Sequence, residues 1–239
     1  MTRPLYLDDA YRASAPGLVE AVTDEGGLVL AESLFYPTSG GQPGDSGRLV
    51  WSDRSLEIAT AIKGRDGAIV LVPAEPGALP APGTVVTQSL DWARRLRHMR
   101  MHTALHLLSA VLDDPVTGGQ IGEVKSRLDV DTATAPDPQW LAGRLAELVA
   151  ADLPVTSEWI TEADLDAAPQ LVRTLSVRPP HGQSRVRLVR IGAGSEAVDL
   201  QPCGGTHVAR TSEIGALSIG KIEKKGRQNR RIYLHLEVS

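Results

Sequence analysis

The stretch LDWARRLRHMRMHTALHLLSAVLDD, residues 90–114, decides how the rest of the chain is read. It predicts a long helix over residues 91–112. Ser89 or Asp91 can cap its start, and Asp113-Asp114-Pro115 stops it. Within it, HTALH places His102 and His106 four residues apart, on one helical face and one turn from each other. That is the spacing by which a helix offers two imidazoles to one metal ion. His98 extends the stripe one turn back and is expected to be partly exposed rather than a ligand. Two polar residues on a core-facing helix would show the same spacing, so the pair needs a second half to carry weight.

The second half is CGGTH, residues 203–207. Cys203, the sole cysteine, and His207 bracket Gly204, Gly205 and Thr206. Two glycines let a backbone turn sharply and leave N–H groups accessible to a ligand. His102, His106, Cys203 and His207 together form an N₃S set of the borderline-soft kind that Zn²⁺ prefers. A buried structural cysteine on a turn, or a Cys–His nucleophile pair, also fits this half taken alone. Asp199 and Gln201 precede the cysteine by four and two residues, and Asp199 can orient a metal-bound imidazole.

Toward the N-terminus the chain reads as β. Short apolar runs at residues 27–30 and 67–72 are separated by turn clusters, a spacing that fits a small barrel or sandwich. PAEPGALPAPG, residues 73–83, carries four prolines and continues neither a helix nor a central strand. It is expected to be a late loop of a first domain, residues 1–88, with a second domain over residues 89–239. FYPTSGGQPGDSG, residues 35–47, is dense in turn formers and by physics alone is a hairpin loop. Gln42, following two glycines, is expected at the surface, where its amide can orient a water or a substrate carbonyl.

Toward the C-terminus, residues 116–130 read as loop and strand. A second helix is expected over residues 138–151, capped by Asp137 with Pro138 at its first position and burying Leu141, Leu145, Leu148 and Val149. A short helix is expected over residues 162–167. The last 55 residues return to strands, with Ile232, Leu234, Leu236 and Val238 alternating with Tyr233, His235 and Glu237. The fold class is therefore α+β, with a small N-terminal β-barrel or sandwich.

A chain of 239 residues has room for one large domain or two modest ones. A formal net charge of -4 provides no bulk attraction to nucleic acid, so such binding needs a local basic patch. Two clusters qualify. Arg94, Arg95, Arg97 and Arg100 line the start of the long helix. Lys221, Lys224, Lys225, Arg227, Arg230 and Arg231 crowd KIEKKGRQNRRI, residues 221–232. A solvated face and a phosphate-backbone contact both fit such a tract. One cysteine excludes an internal disulfide and suits a reducing compartment. The N-terminus has no apolar h-region, and no stretch approaches the ~20 apolar residues that span a bilayer. A cytoplasmic protein is expected.

These motifs together resemble the alanyl-tRNA editing proteins, freestanding relatives of the editing domain of alanyl-tRNA synthetase. HTALH followed by QPCGGTHVARTSEIG, residues 201–215, is similar to the zinc signature of that family. FYPTSGGQPGDSG is similar to the glycine-rich motif of its longer members, a motif not expected in the related threonyl-tRNA synthetases. GQIGEVKSRLD, residues 119–129, resembles the loop after the first helix, with Gln120 two residues before Gly122. KKGRQNRRI, residues 224–232, resembles the family's basic segment. The resemblance covers roughly residues 6–236. One departure is Leu105, which stands where full-length synthetases often carry a hydroxyl residue.

The resemblance implies a translation-factor-like barrel followed by a synthetase-type editing domain. It implies hydrolysis, in trans, of the ester in mischarged tRNA(Ala), chiefly the seryl and also the glycyl form. Zn²⁺ is the expected cofactor and mischarged tRNA(Ala) the expected partner, with neither DNA nor a membrane involved. Gln120, Thr206 and Gln42 are the candidate positioning groups at the reacting ester. Four protein ligands make a closed tetrahedron, whereas catalytic zinc keeps a position open, so anchoring or polarisation of the substrate is preferred over a tightly held zinc hydroxide. Two other classes fit the motifs: a metal-free Cys–His hydrolase of another ester, and a non-catalytic zinc-stabilised RNA-binding module.

Overall fold

The computed structural model describes residues 1–172 and 185–237. The chain divides into two compact units, Met1–His98 and Met99–Ser239. The first holds β1 (Arg3–Pro4), β2 (Ser14–Val22), β3 (Leu28–Leu30), β4 (Glu32–Ser33), β5 (Gly47–Trp51), β6 (Arg54–Lys63), β7 (Ile69–Pro73) and β8 (Val85–Leu90). Helix α1 (Trp92–Leu112) begins in this unit and ends in the next. The second unit continues with β9 (Val116–Gln120), β10 (Lys125–Val130), α2 (Pro138–Ala150), β11 (Val155–Thr161) and α3 (Glu162–Asp166). It ends with β12 (Arg185–Ile191), β13 (Asp199–Pro202), β14 (Leu217–Lys224) and β15 (Arg230–Leu236).

In the first unit six strands close into a barrel in the order β2-β3-β7-β6-β5-β8, each pair antiparallel. Closure follows from alternation: β2 buries every second residue from Ala15 to Val19, and β8 buries Val86, Gln88 and Leu90. Leu28, Leu30, Leu49, Ile58 and Leu71 fill the interior. Pro73 ends β7, and the proline-rich residues after it, 74–84, form the connection to β8.

The glycine-rich residues 35–47 are a packing device of this unit. Ser39 and Gln42 exchange backbone hydrogen bonds of 3.0 and 2.8 Å, and the two residues between them have positive φ, +54° at Gly40 and +81° at Gly41. This is the primed two-residue hairpin turn that glycine favours. Gly44 is required by close approach, since a Cβ there would lie 2.0 Å from Ala61 O. Asp45 accepts from Tyr36 N at 2.6 Å and from Arg95 Nε, and the Arg95 guanidinium also donates to Leu34 O at 2.7 Å and Ala10 O at 2.9 Å. Arg94 donates to Gly44 O at 2.6 Å. The expectation of an exposed Gln42 is overturned, because its side chain is fully buried. Gly40 and Gly41, at the tip of the turn, are exposed, but the residue after them is turned inward. Arg95 is likewise buried, so the first basic cluster is not a continuous solvated face.

Among the described residues of the second unit two antiparallel sheets form, β14-β15-β10-β9 and β11-β12-β13. α2 starts where Asp137 accepts a hydrogen bond from Trp140 N at 2.8 Å, with Pro138 at its first position. It buries Leu141 and Leu145, while Leu148 and Val149 are half-buried. α3 begins with a capping box in which Thr161 and Asp164 satisfy each other's backbone N–H. β15 alternates as its sequence predicts, with Ile232, Leu234 and Leu236 buried; Val238 lies outside the described residues. α1 is buried on every side from Met101 to Ser109, so its histidines are interior residues rather than a surface stripe. No described helix is long and apolar enough to cross a membrane.

Candidate metal centre

Helix α1 and the segment after β13 build the site. The helix places His102 and His106 one turn apart, with ring centroids 5.2 Å from each other. β13 works with period two: Asp199 and Gln201 share one face of the strand, and Cys203 follows in the same sense just beyond its end. His207 then returns beside the helix histidines, its ring centroid 4.3 Å from that of His102 and 4.7 Å from that of His106. One ligand atom from each of His102, His106, Cys203 and His207 can be chosen so that all four lie within 4.8 Å of one another.

The spacings fit a tetrahedral cation. With metal–nitrogen bonds of ~2.0–2.1 Å and a metal–sulfur bond of ~2.3 Å, nitrogen and sulfur ligands sit roughly 3.5 Å apart. Cys203 Sγ lies 3.5 Å from His102 Nε2 and 3.3 Å from His207 Nε2. His106 Nδ1 meets Asp199 Oδ2 at 2.8 Å, which leaves Nε2 as the nitrogen available to the cluster. Gln201 Nε2 donates to the same carboxylate oxygen at 2.9 Å.

The electrostatics match a thiolate held among imidazoles. Burial opposes the Cys203 thiolate, but His102 and His207 outweigh it and hold the thiol well below its usual range. Burial also opposes a charge on His106, yet the Asp199 hydrogen bond and the Cys203 thiolate push it up to about 10. His207 is pushed well below the usual range by burial and by the charge of His102. Four donor atoms of nitrogen and sulfur, buried together with a carboxylate behind one of them, are the ligand chemistry of a soft divalent cation.

Two features escaped sequence reasoning. The Arg187 guanidinium donates to Cys203 O at 2.9 Å and Gly205 O at 3.0 Å, which fixes the loop that carries the thiol. Gly205 N donates to Cys203 Sγ at 3.4 Å, adding a backbone dipole to the thiolate. Gly204 does not need a positive φ; it is exposed, and a Cβ there would meet nothing within 4 Å.

The remaining candidates fall in several places. Thr206 is buried. Gln120 is exposed at the end of β9, where its Oε1 accepts from Arg127 Nε at 3.2 Å. Leu105 is buried in α1. His98, expected to be partly exposed, is buried at 1% exposure and is not one of the four clustered residues.

The C-terminal basic tract splits in two. Lys221, Lys224, Lys225 and Arg227 are exposed, with Lys221 and Lys225 both on Glu223 at 3.0 and 2.9 Å. Those two lysines hold the Glu223 carboxyl down to about 2. Arg230 is buried and donates to Asn229 O at 3.0 Å and also to Ala133 O. Arg231 makes a bidentate pair with Asp129, both bonds 2.8 Å. Both residues are thus engaged within the protein: β15 pairs with β10, and its alternation turns Arg230 inward and Arg231 onto the neighbouring acid.

The family described as Threonyl and Alanyl tRNA synthetase second additional domain matches residues 186–233. The chain is 34% identical over 250 residues to the alanyl-tRNA editing protein AlaX-M of Methanosarcina acetivorans, covering 99% of both chains. It is 31% identical over 244 residues to the alanyl-tRNA editing protein AlaX-L of Pyrococcus horikoshii, covering 97% of this chain and 57% of that one. It is 35% identical over 233 residues to the alanine–tRNA ligase of Caldivirga maquilingensis, covering 93% of this chain and 25% of the ligase.

Proposed function

The chain belongs to the AlaX family of alanyl-tRNA editing proteins, and from that premise we propose that it deacylates mischarged tRNA(Ala) in trans at a zinc-holding site, releasing serine and also glycine. The observation that carries the reading is the buried cluster of His102, His106, Cys203 and His207, whose Sγ-to-nitrogen spacings suit a tetrahedral ion.

Ester hydrolysis needs an oriented substrate, a stabilised oxyanion and a positioned water. A zinc ion held by the four residues would supply Lewis-acid attraction for the aminoacyl group or its carbonyl. The protein's own groups do the rest. Asp199 and Gln201 fix the His106 ring from behind. Thr206 and Gln120 are our candidates for positioning the reacting ester. Gln42 is a third candidate, buried like Thr206 rather than exposed. Lys221, Lys224, Lys225 and Arg227 are suited to phosphates of the tRNA, because exposed cations neutralise a backbone without reading bases.

Serine differs from alanine by one hydroxyl. An apolar pocket rejects such an addition poorly, whereas a polar partner for the hydroxyl selects it. The test is deacylation of seryl- and glycyl-tRNA(Ala) by the parent and by Cys203→Ala, before and after chelation. Activity that is lost with the thiol and with the metal supports the reading. Activity that survives both contradicts it.

A second reading is a metal-free thiolate nucleophile, favoured by the 3.3 Å separation of Cys203 Sγ and His207 Nε2. Alkylation separates the two. A metal-held thiolate is protected until a chelator is added, whereas a free nucleophile reacts at once.

A further inference from the structure

Thr103 lies between the two helix histidines in sequence, but its hydroxyl serves neither of them. Oγ1 lies 2.9 Å from Met99 O, 3.2 Å from His207 Nδ1 and 3.3 Å from Val208 N. The residue is fully buried, so each of these contacts is made without competition from bulk water.

The proton count is closed. A hydroxyl has one proton and two acceptor sites. Met99 O can only accept, so it takes the hydroxyl proton, as a threonine bonding back to the carbonyl one turn earlier does. Val208 N–H can only donate, and it takes one acceptor site. The contact with His207 is then a hydrogen bond only if Nδ1 carries a proton and donates to the second site. A neutral imidazole has a single N–H. With the proton on Nδ1, Nε2 is bare, and Nε2 is the atom that faces Cys203 Sγ at 3.3 Å.

We infer that Thr103 is a positioning residue of the metal centre: its hydroxyl locks His207 in the Nδ1–H tautomer and so presents the Nε2 lone pair to the ion. The inference rests on the metal reading above. It gives the centre two orienting devices of different chemistry, a carboxylate behind His106 and a neutral hydroxyl behind His207. The hydroxyl adds no negative charge. It therefore orients the ring without stabilising an imidazolium that would compete with metal binding. It also ties the ring to α1 and to the backbone after CGGTH at one atom.

The test is chelator competition for Zn²⁺ with the parent, Thr103→Val and Thr103→Ser, alongside the unfolding midpoint of each metal-free protein. Loss of a group that orients a metal ligand costs roughly 10–100-fold in metal affinity; Thr103→Val is expected to lose that much and Thr103→Ser to recover it. Histidine ¹⁵N shifts of the zinc-loaded parent are expected to show His207 protonated at Nδ1, a signature that a merely space-filling threonine does not produce. Equal zinc affinity in the parent and Thr103→Val, or His207 protonated at Nε2, overturns the inference while leaving the metal reading intact. A parent that takes up no zinc overturns the metal reading and this inference with it. Should Thr103→Val fail to fold, the parent's ¹⁵N spectrum and the serine variant decide.

Discussion

His106 Nδ1 and Asp199 Oδ2, 93 residues apart in the chain, meet at 2.8 Å in the interior. The bond turns a helix histidine and a strand aspartate into one unit, and it directs Nε2 of the ring at Cys203 and the other two imidazoles. A carboxylate behind a histidine fixes the ring's tautomer and raises its basicity as a ligand.

Asp199→Asn should therefore lower zinc affinity by roughly 10–100-fold, with the four ligands themselves unchanged. Chelator competition on the purified variant measures this directly. Affinity equal to that of the parent would remove Asp199 from the site.

The glycine-rich hairpin makes a graded prediction. Gly44→Ala drives a Cβ to 2.0 Å from Ala61 O, a backbone atom that cannot swing aside; overpacking of this kind should cost about 3 kcal/mol. Gly40→Ala meets nothing within 4 Å and bears only the left-handed backbone penalty, about 1–2 kcal/mol. Urea unfolding of the two variants should rank them in that order. The reverse ranking would contradict the packing account of this motif.

The basic tract should separate into two kinds of residue. Replacing Lys221, Lys224, Lys225 and Arg227 by alanine should weaken tRNA binding and flatten its dependence on salt, because fewer counterions are released. Folding should survive, since all four are exposed. Arg231→Ala should instead lower stability by leaving Asp129 with Arg127 alone. Binding isotherms at several salt concentrations, paired with unfolding curves, distinguish the two effects. An unchanged salt slope in the fourfold variant would return those residues to a solvated face.

Asp129 also predicts a pH dependence. Burial opposes its charge, but Arg231 and then Arg127 hold the carboxyl below its ordinary range. A depressed folded-state value contributes stability that is present above the unfolded value, about 3.9, and is lost as pH falls through the folded one. Asp129→Asn should cost about 1–3 kcal/mol at neutral pH, the scale of hydrogen bonds to charged groups. It should also flatten the decline of stability in acid below about pH 4. Denaturant midpoints of both proteins across that range supply the comparison. Parallel curves would show that the pair contributes nothing.

What was legible in the chain follows from which signals are local. The helix limits, the Asp137 cap, the β15 alternation and the four clustered residues are written in spacing, turn chemistry and one-turn repeats. The four-residue gaps in HTALH and CGGTH were sufficient because each places two ligands through local backbone geometry. β11 was missed because it is an edge strand with most of its residues exposed, so no buried face imposes a period on its sequence. Gln42 was misplaced because a turn's exposure was extended to the residue after it. Arg95, Arg230 and Arg231 were read as part of charged runs, but their partners Asp45, Ala133 and Asp129 are distant in sequence and invisible to it. Thr103 gave no signal at all, since its importance lies in a hydroxyl contact made across 104 residues.

The central claim is discrimination against the wrong amino acid on tRNA(Ala), and the ratio of two rates tests it most directly. Under single-turnover conditions the zinc-loaded protein should release serine from seryl-tRNA(Ala) faster than it releases alanine from alanyl-tRNA(Ala), and chelation should abolish the difference. Equal rates for the two esters, or a difference that persists unchanged without metal, would contradict the account.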